Sequence, residues 1–169
     1  DQARLYLGQV AEQRKQYEDA IQWYSTVESA EMHFEAQARL GVTLARQGNL
    51  EQARTHLHNL LPKTEAQKVQ LALAEEQMLR DAKQHTEAFD VLTRVLGELP
   101  DNADLLYARA LVAEKLNRIE VAEKDLDAGV QEAVEAREVE VELQGAPQAL
   151  AGLAPVRSPH QQVQPVGVP

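Results

Sequence analysis

Ala20, Ala53, Ala88 and Ala122 recur at spacings of 33, 35 and 34 residues, and this near-constant period limits the possible folds more than any other property of the chain. Four residues after each alanine stands a larger side chain: Tyr24, Leu57, Leu92 and Leu126. Three residues before each stands another: Tyr17, Leu50, His85 and Ile119. Spacings of three and four put such residues on one face of a helix, with the alanine where a partner helix comes closest. The clearest copy runs from Leu40 to Leu57. There Leu40 and Leu44 share a helical face, and Gly48-Asn49 supplies residues that tolerate the left-handed backbone ending a helix. A second apolar run then starts at once with Leu50, Ala53, Leu57, Leu60 and Leu61. A helical hairpin of this kind cannot bury both its stripes alone, so copies must stack. The expected architecture is an all-α solenoid of about four helical hairpins. An unrelated helical bundle would account for the helices but not for the period.

A period near 34 with helix–turn–helix units resembles the tetratricopeptide repeat family over residues 1 to about 130. The matching residues are Leu7-Gly8 with Tyr17, Ala20 and Tyr24, then Leu40-Gly41 with Ala53. Pro100-Asp101-Asn102-Ala103 resembles the corner between repeats. There are departures. Arg4, Gln37 and Leu106 stand where the family often has Trp, and Glu75-Glu76 replaces the Leu-Gly pair of the third repeat. The resemblance implies a right-handed superhelix whose first helices line a concave groove and whose second helices form the outside.

Taken in order, the first hairpin spans about Gln2 to Ser29, with a polar turn at Gln13-Arg14-Lys15-Gln16. Trp23 adjoins the core residue Tyr24 and therefore points to another side of its helix. The second hairpin ends at Pro62. Thr64, with Gln67 three residues on, reads as the N-cap of a long helix reaching about Ala82. Its partner runs from about Thr86 to Leu99. Asp101 reads as the cap of the fourth hairpin, in which Leu105, Leu106, Ala110 and Leu111 meet Ile119, Val121, Ala122 and Leu126. After Leu126 the pattern fails. Residues 1–134 are assigned to the four hairpins and 135–169 to a non-repeat segment, partly extended or disordered. Within it, Glu138 to Leu143 alternates as a helix end or short strand would. Residues 127–143 are expected to cover the fourth hairpin through Val130, Val134, Val139, Val141 and Leu143. Beyond Gly145, prolines and glutamines suggest an extended tail that a groove could capture.

The net charge of −10 argues against nucleic acid and anionic membrane surfaces as partners. With no cysteine there are no disulfides or thiolate metal sites. No apolar run reaches the roughly 18 residues of a membrane span. His56 and His58 are two apart on a helix and cannot share a metal, and His33, His85 and His160 lie in separate elements. The carboxylates lie on charged helical faces, as in Glu114-Lys115 and Glu123-Lys124. No serine has a glycine-flanked elbow, and no glycine loop could cradle a phosphate. The expectation is therefore no catalytic site, no metal and no cofactor.

The expected site is the concave groove. The resemblance places there Leu5, Gln9 and Glu12, then Val42 and Arg46, then Gln70, Leu73, Gln77 and Arg80, and last Tyr107, Leu111 and Lys115. Amides can pair with a partner's backbone, and the apolar members anchor side chains. A chaperone-type clamp on a terminal carboxylate needs Lys and Asn, whereas Leu5, Gln9, Ala38 and Val42 hold those positions. The run from Tyr6 to Val27 is further similar to segments of large repeat-containing outer-membrane lipoproteins of Gram-negative bacteria. One such lipoprotein is the adaptor of a periplasmic carboxyl-terminal processing protease. That likeness implies an internal piece of a periplasmic, outer-membrane-attached adaptor that binds a protein or extended peptide. A generic cytoplasmic scaffold, or the regulatory domain of a larger protein, is the alternative. Self-association through exposed repeat ends or the tail is a further expectation.

Overall fold

The computed structural model describes the backbone of residues 1–145 and the side chains of residues 1–135. Eight helices are seen in this part: α1 (Gln2–Gln13), α2 (Tyr17–Ser25), α3 (Ala30–Arg46), α4 (Leu50–His58), α5 (Glu65–Asp81), α6 (His85–Leu96), α7 (Ala103–Lys115) and α8 (Ile119–Gly145). They pair in sequence as the expected hairpins of an α-solenoid. Asp1–Ala133 form one compact unit, and a second begins at Val134, within α8. The stretch from Glu138 to Leu143 is helical. The expected tail lies outside the described residues.

The alanine seam explains the hairpins. Ala20, Ala53 and Ala88 are completely buried, and Ala122 nearly so. In the first two hairpins a glycine faces the large residue four positions beyond the alanine. A Cβ added to Gly8 would lie 2.4 Å from the Tyr24 ring, and one added to Gly41 would lie 2.4 Å from Leu57 Cδ2. Tyr24, Leu57 and Leu92 are among the least exposed side chains in the structure. In the third hairpin the corresponding residue of α5 is Glu76, which is buried and paired with Arg80 at 2.9 Å. Burial pushes its carboxyl up, Arg80 pulls it down and Asp81 adds to the rise. Glu75 beside it is also raised by burial, against the pull of Arg94 and His58.

These raised values have a sign. A carboxyl that holds its proton more tightly when folded favours the fold at acid pH. That contribution is lost as pH climbs from the ordinary value of 4.5 through the raised one. Glu76→Gln should therefore melt higher than the parent at neutral pH, and its advantage should shrink as pH falls through the raised value towards 4.5 and level off below it. Parallel melting curves across pH that keep a constant gap would contradict this.

All four hairpin turns use one backbone device. Lys15 (φ 60°), Gly48 (φ 104°), Lys83 (φ 60°) and Asn117 (φ 58°) sit in the left-handed region, each five residues before its seam alanine. Glycine does so freely and asparagine tolerably, whereas lysine bears a cost of roughly 1–2 kcal/mol. Lys83→Gly should accordingly raise stability by about 0.5–1 kcal/mol once the looser unfolded chain is counted. Gly48→Ala, with nothing within 4 Å of the new Cβ, should lower it through backbone strain alone. Urea titration of both variants checks the pair, and shifts of the same sign would refute the argument.

Stacking is asymmetric. The first helices approach one another directly, α1 to α3, α3 to α5 and α5 to α7, whereas no close backbone approach joins α2 to α4 or α4 to α6. A stack whose first helices are close and second helices splayed must be concave on the first-helix side. Thr64 caps α5 as expected: its hydroxyl accepts from Gln67 N–H at 3.2 Å, while Gln67 Oε1 accepts from Lys63 N–H at 2.7 Å. The cap of α7 is Asn102, accepting from Leu105 N–H at 3.1 Å, rather than the expected Asp101.

The fourth hairpin departs from the repeat logic. Leu126 is 42% exposed and Ile119 47%, although both were expected in the core. The reason lies in Asp125, which is 2% exposed and receives both Nε–H and an Nη2–H of Arg109 at 2.7 Å. This bidentate pair turns Ala122, Asp125 and Gly129 toward α7, where Gly129 sits against Leu106 and the Ala103 carbonyl. Leu126 is thereby rotated off the seam. Val130, 64% exposed, does not cover the hairpin as expected, because it lies on the side of α8 away from that contact. Val134 is also exposed, and the side chains of Val139, Val141 and Leu143 lie outside the described residues.

Candidate partner-binding groove

On the concave side a cleft of about 200 Å³ is lined by Glu12, Ala38, Arg39, Val42, Gln70, Leu73, Ala74 and Gln77, one wall each from α1, α3 and α5. Its base is apolar and its upper rim carries amides. A wider cleft of about 730 Å³ continues along α5 to the corner before α7 and reaches Glu132 of α8. Gln70 and Leu73 line both, so the two form one groove.

Ion pairs fasten the inner edge. Glu12 Oε2 accepts from the Tyr24 hydroxyl at 2.8 Å, Glu12 Oε1 pairs with Arg46, and Arg46 Nε–H donates to Asp81 at 3.0 Å. Arg39 donates to Glu35 at 3.0 Å and stands 3.9 Å from Glu12. Burial, then the Glu12 carboxylate beside it, push the Tyr24 phenol up. One chain of charges thus runs from α1 through α3 to α5.

On the other side the splay of α4 from α6 leaves a crevice of about 460 Å³ floored by Leu57, Met78 and Leu79. Its arginines are engaged, Arg54 with Glu87 at 2.7 Å and Arg94 with Glu75 at 3.5 Å. His56 is also held, its Nε2 lying 3.0 Å from the Gln37 carbonyl. Among the described residues no group of three or more His, Asp or Glu is placed to hold a metal ion, and no helix is long and apolar enough to cross a membrane.

Residues 1–31 match the tetratricopeptide repeat family profile. The first hairpin, α1 and α2, is a tetratricopeptide repeat. The TPR repeat-containing protein PA4667 of Pseudomonas aeruginosa is 30% identical over 126 residues, which is 75% of this chain and 21% of that relative. The chain therefore spans about a fifth of that relative's length. A solved structure, MamA MSR-1 C2, aligns over 80% of this chain and 99% of its own at 16% identity with a TM-score of 0.34, too loose a likeness to bear on fold or function.

Within this stack of hairpins, Glu12, Val42, Gln70, Leu73 and Gln77 come together in the groove, Val42 as part of its buried base. Arg46 stands beside Glu12, and both are occupied by ion pairs. Arg80 is paired with Glu76. Leu5 is buried and offers little surface, while Gln9, Leu111 and Lys115 lie off the two clefts. Tyr107 is exposed but also lines neither. Sequence reasoning missed Arg39, whose partners belong to α1 and its own helix, and the walls supplied by Val69, Leu99 and Glu132. One signal for Arg39 was available: a buried Tyr24 hydroxyl needs an acceptor, and the carboxylate serving it needs a cation nearby.

Proposed function

We propose that this chain is a non-catalytic scaffold that holds a protein partner, as an extended segment, in the concave groove. The observation that carries the reading is the continuity of the two clefts through Gln70 and Leu73, which gives a trough with an apolar base and amide groups along its wall. Glutamine amides can both donate to and accept from the backbone of an extended chain, and the base can receive every second side chain. Tetratricopeptide repeats typically serve as such scaffolds. The likeness of Tyr6 to Val27 to outer-membrane lipoproteins supports a narrower proposal: an adaptor, attached to the outer membrane in the full-length protein, that brings substrates to a periplasmic carboxyl-terminal processing protease.

A photo-crosslinking amino acid placed at Gln70 or Gln77 in cells should yield partner adducts that the same group at Glu18, on the second helix of the first hairpin, does not. Equal adducts from both places would rule out the groove. Adducts confined to cytoplasmic proteins would rule out the adaptor role while leaving the scaffold.

A further inference from the structure

We infer that the segment this groove selects is cationic at the α7 end and apolar along its length. The inference rests on the groove being the partner site and adds the charge of its occupant. Glu65, Glu98, Asp101, Asp104 and Glu132 line the wider cleft, and among the described residues no Lys or Arg lines it. Lys68 answers Glu98 at 2.8 Å from outside. Between these carboxylates lie Val69, Leu73, Leu99 and Pro100, so the charges surround an apolar floor. A low-dielectric floor focuses the field of the carboxylates into the trough.

The α1 end differs. There Glu12 is already neutralised by Arg46, with Arg39 nearby, so the groove has one balanced end and one negative end. The carboxylates of the negative end are not gathered as a metal site would need, since no described group of three could hold an ion. Spread charges suit several flexible ammonium or guanidinium heads better than one metal ion. An acidic segment, or a nucleic acid, would meet like charge. An extended peptide alternating Leu with Lys or Arg fits both features: its leucines reach the floor and its cations reach the rim.

Fluorescence anisotropy with two short labelled peptides tests this, one alternating Leu and Lys, the other Leu and Glu. The Leu/Lys probe should bind in preference to the Leu/Glu probe, and added salt should weaken it. Asp104→Asn with Glu132→Gln should weaken it about fivefold, while Glu18→Gln with Asp19→Asn, equal in charge but on α2, should change it less than about twofold. Leu73→Ser should weaken both probes. Gln70→Lys, at a half-buried position on the groove wall, should weaken Leu/Lys and strengthen Leu/Glu. Circular dichroism checks helicity throughout. Equal affinity of the two probes, with both lost in Leu73→Ser, would overturn the charge selection and leave the groove standing. Equal responses to the two neutralised pairs would mean diffuse attraction to an acidic chain and would also overturn it. So would failure of both probes to bind, whereas crosslinking of a native partner at Gln70 would then still support the groove.

Discussion

Arg109→Ala should cost about 3–5 kcal/mol, because it leaves a buried carboxylate without its cation. Asp125 is 2% exposed and takes two hydrogen bonds from Arg109, each 2.7 Å. The same guanidinium lies 5.8 Å from the centroid of Phe89 and reaches Thr93, so it ties α8 and α6 to α7 at one point. Arg118 lies over the same ring at 4.5 Å but is not among the partners of Asp125. Replacing both partners, Arg109→Met with Asp125→Leu, should recover much of the loss, since an apolar pair of similar size carries no uncompensated charge. Urea unfolding with hydrogen exchange is the measurement. Exchange in the single variant should rise most in α7 and α8 and least in α1 and α2. A loss below about 1 kcal/mol would mean that water reaches Asp125 and that the pair is an ordinary surface contact.

Ala53→Leu should destabilise by about 1–3 kcal/mol or more, while Gln52→Leu should be nearly neutral. Ala53 is fully buried where α4 meets α3, and the space beyond its methyl is taken by that helix. Its neighbour Gln52 is exposed. Both changes add the same side chain to the same helix, and propensity separates them by only about 0.4 kcal/mol, so packing decides the difference. Equal melting temperatures would show that the seam is not where the helices touch.

The seam was readable because its cause is local and repeated. A small residue at one helical face, every 33 to 35 positions, has few explanations other than a stacked hairpin. The turn positions, the Thr64 cap and the burial of Tyr24, Leu57 and Leu92 follow from the same local rules. The fourth hairpin was not readable in this way. Leu126 occupies the right place in the period, but Asp125 next to it has a stronger claim on the interface through an arginine sixteen residues earlier. A period detects side chains of the same size at the same place; it cannot weigh an ion pair formed by residues without counterparts. The groove was half readable for a related reason. Position along the first helices identifies Val42, Gln70, Leu73 and Gln77, but whether a charged neighbour is free depends on partners one or two hairpins away. Glu12 and Arg46 look like exposed ligands on a helix and are in fact tied to each other.

The charge chain from Glu12 through Arg46 to Asp81 bears on how the protein avoids assembling wrongly. Four hairpins with nearly identical alanine seams could in principle dock out of turn, the first against the third, with little loss of apolar contact. Arg46 faces both ways, toward an acid at the end of α1 and another at the end of α5. A hairpin placed beside a stranger would leave at least one of these charges without its answer. Order among the first three hairpins is thus favoured by matched pairs specific to their two junctions. Splicing one hairpin from this chain into the position of another would disturb assembly even where every alanine remained in step.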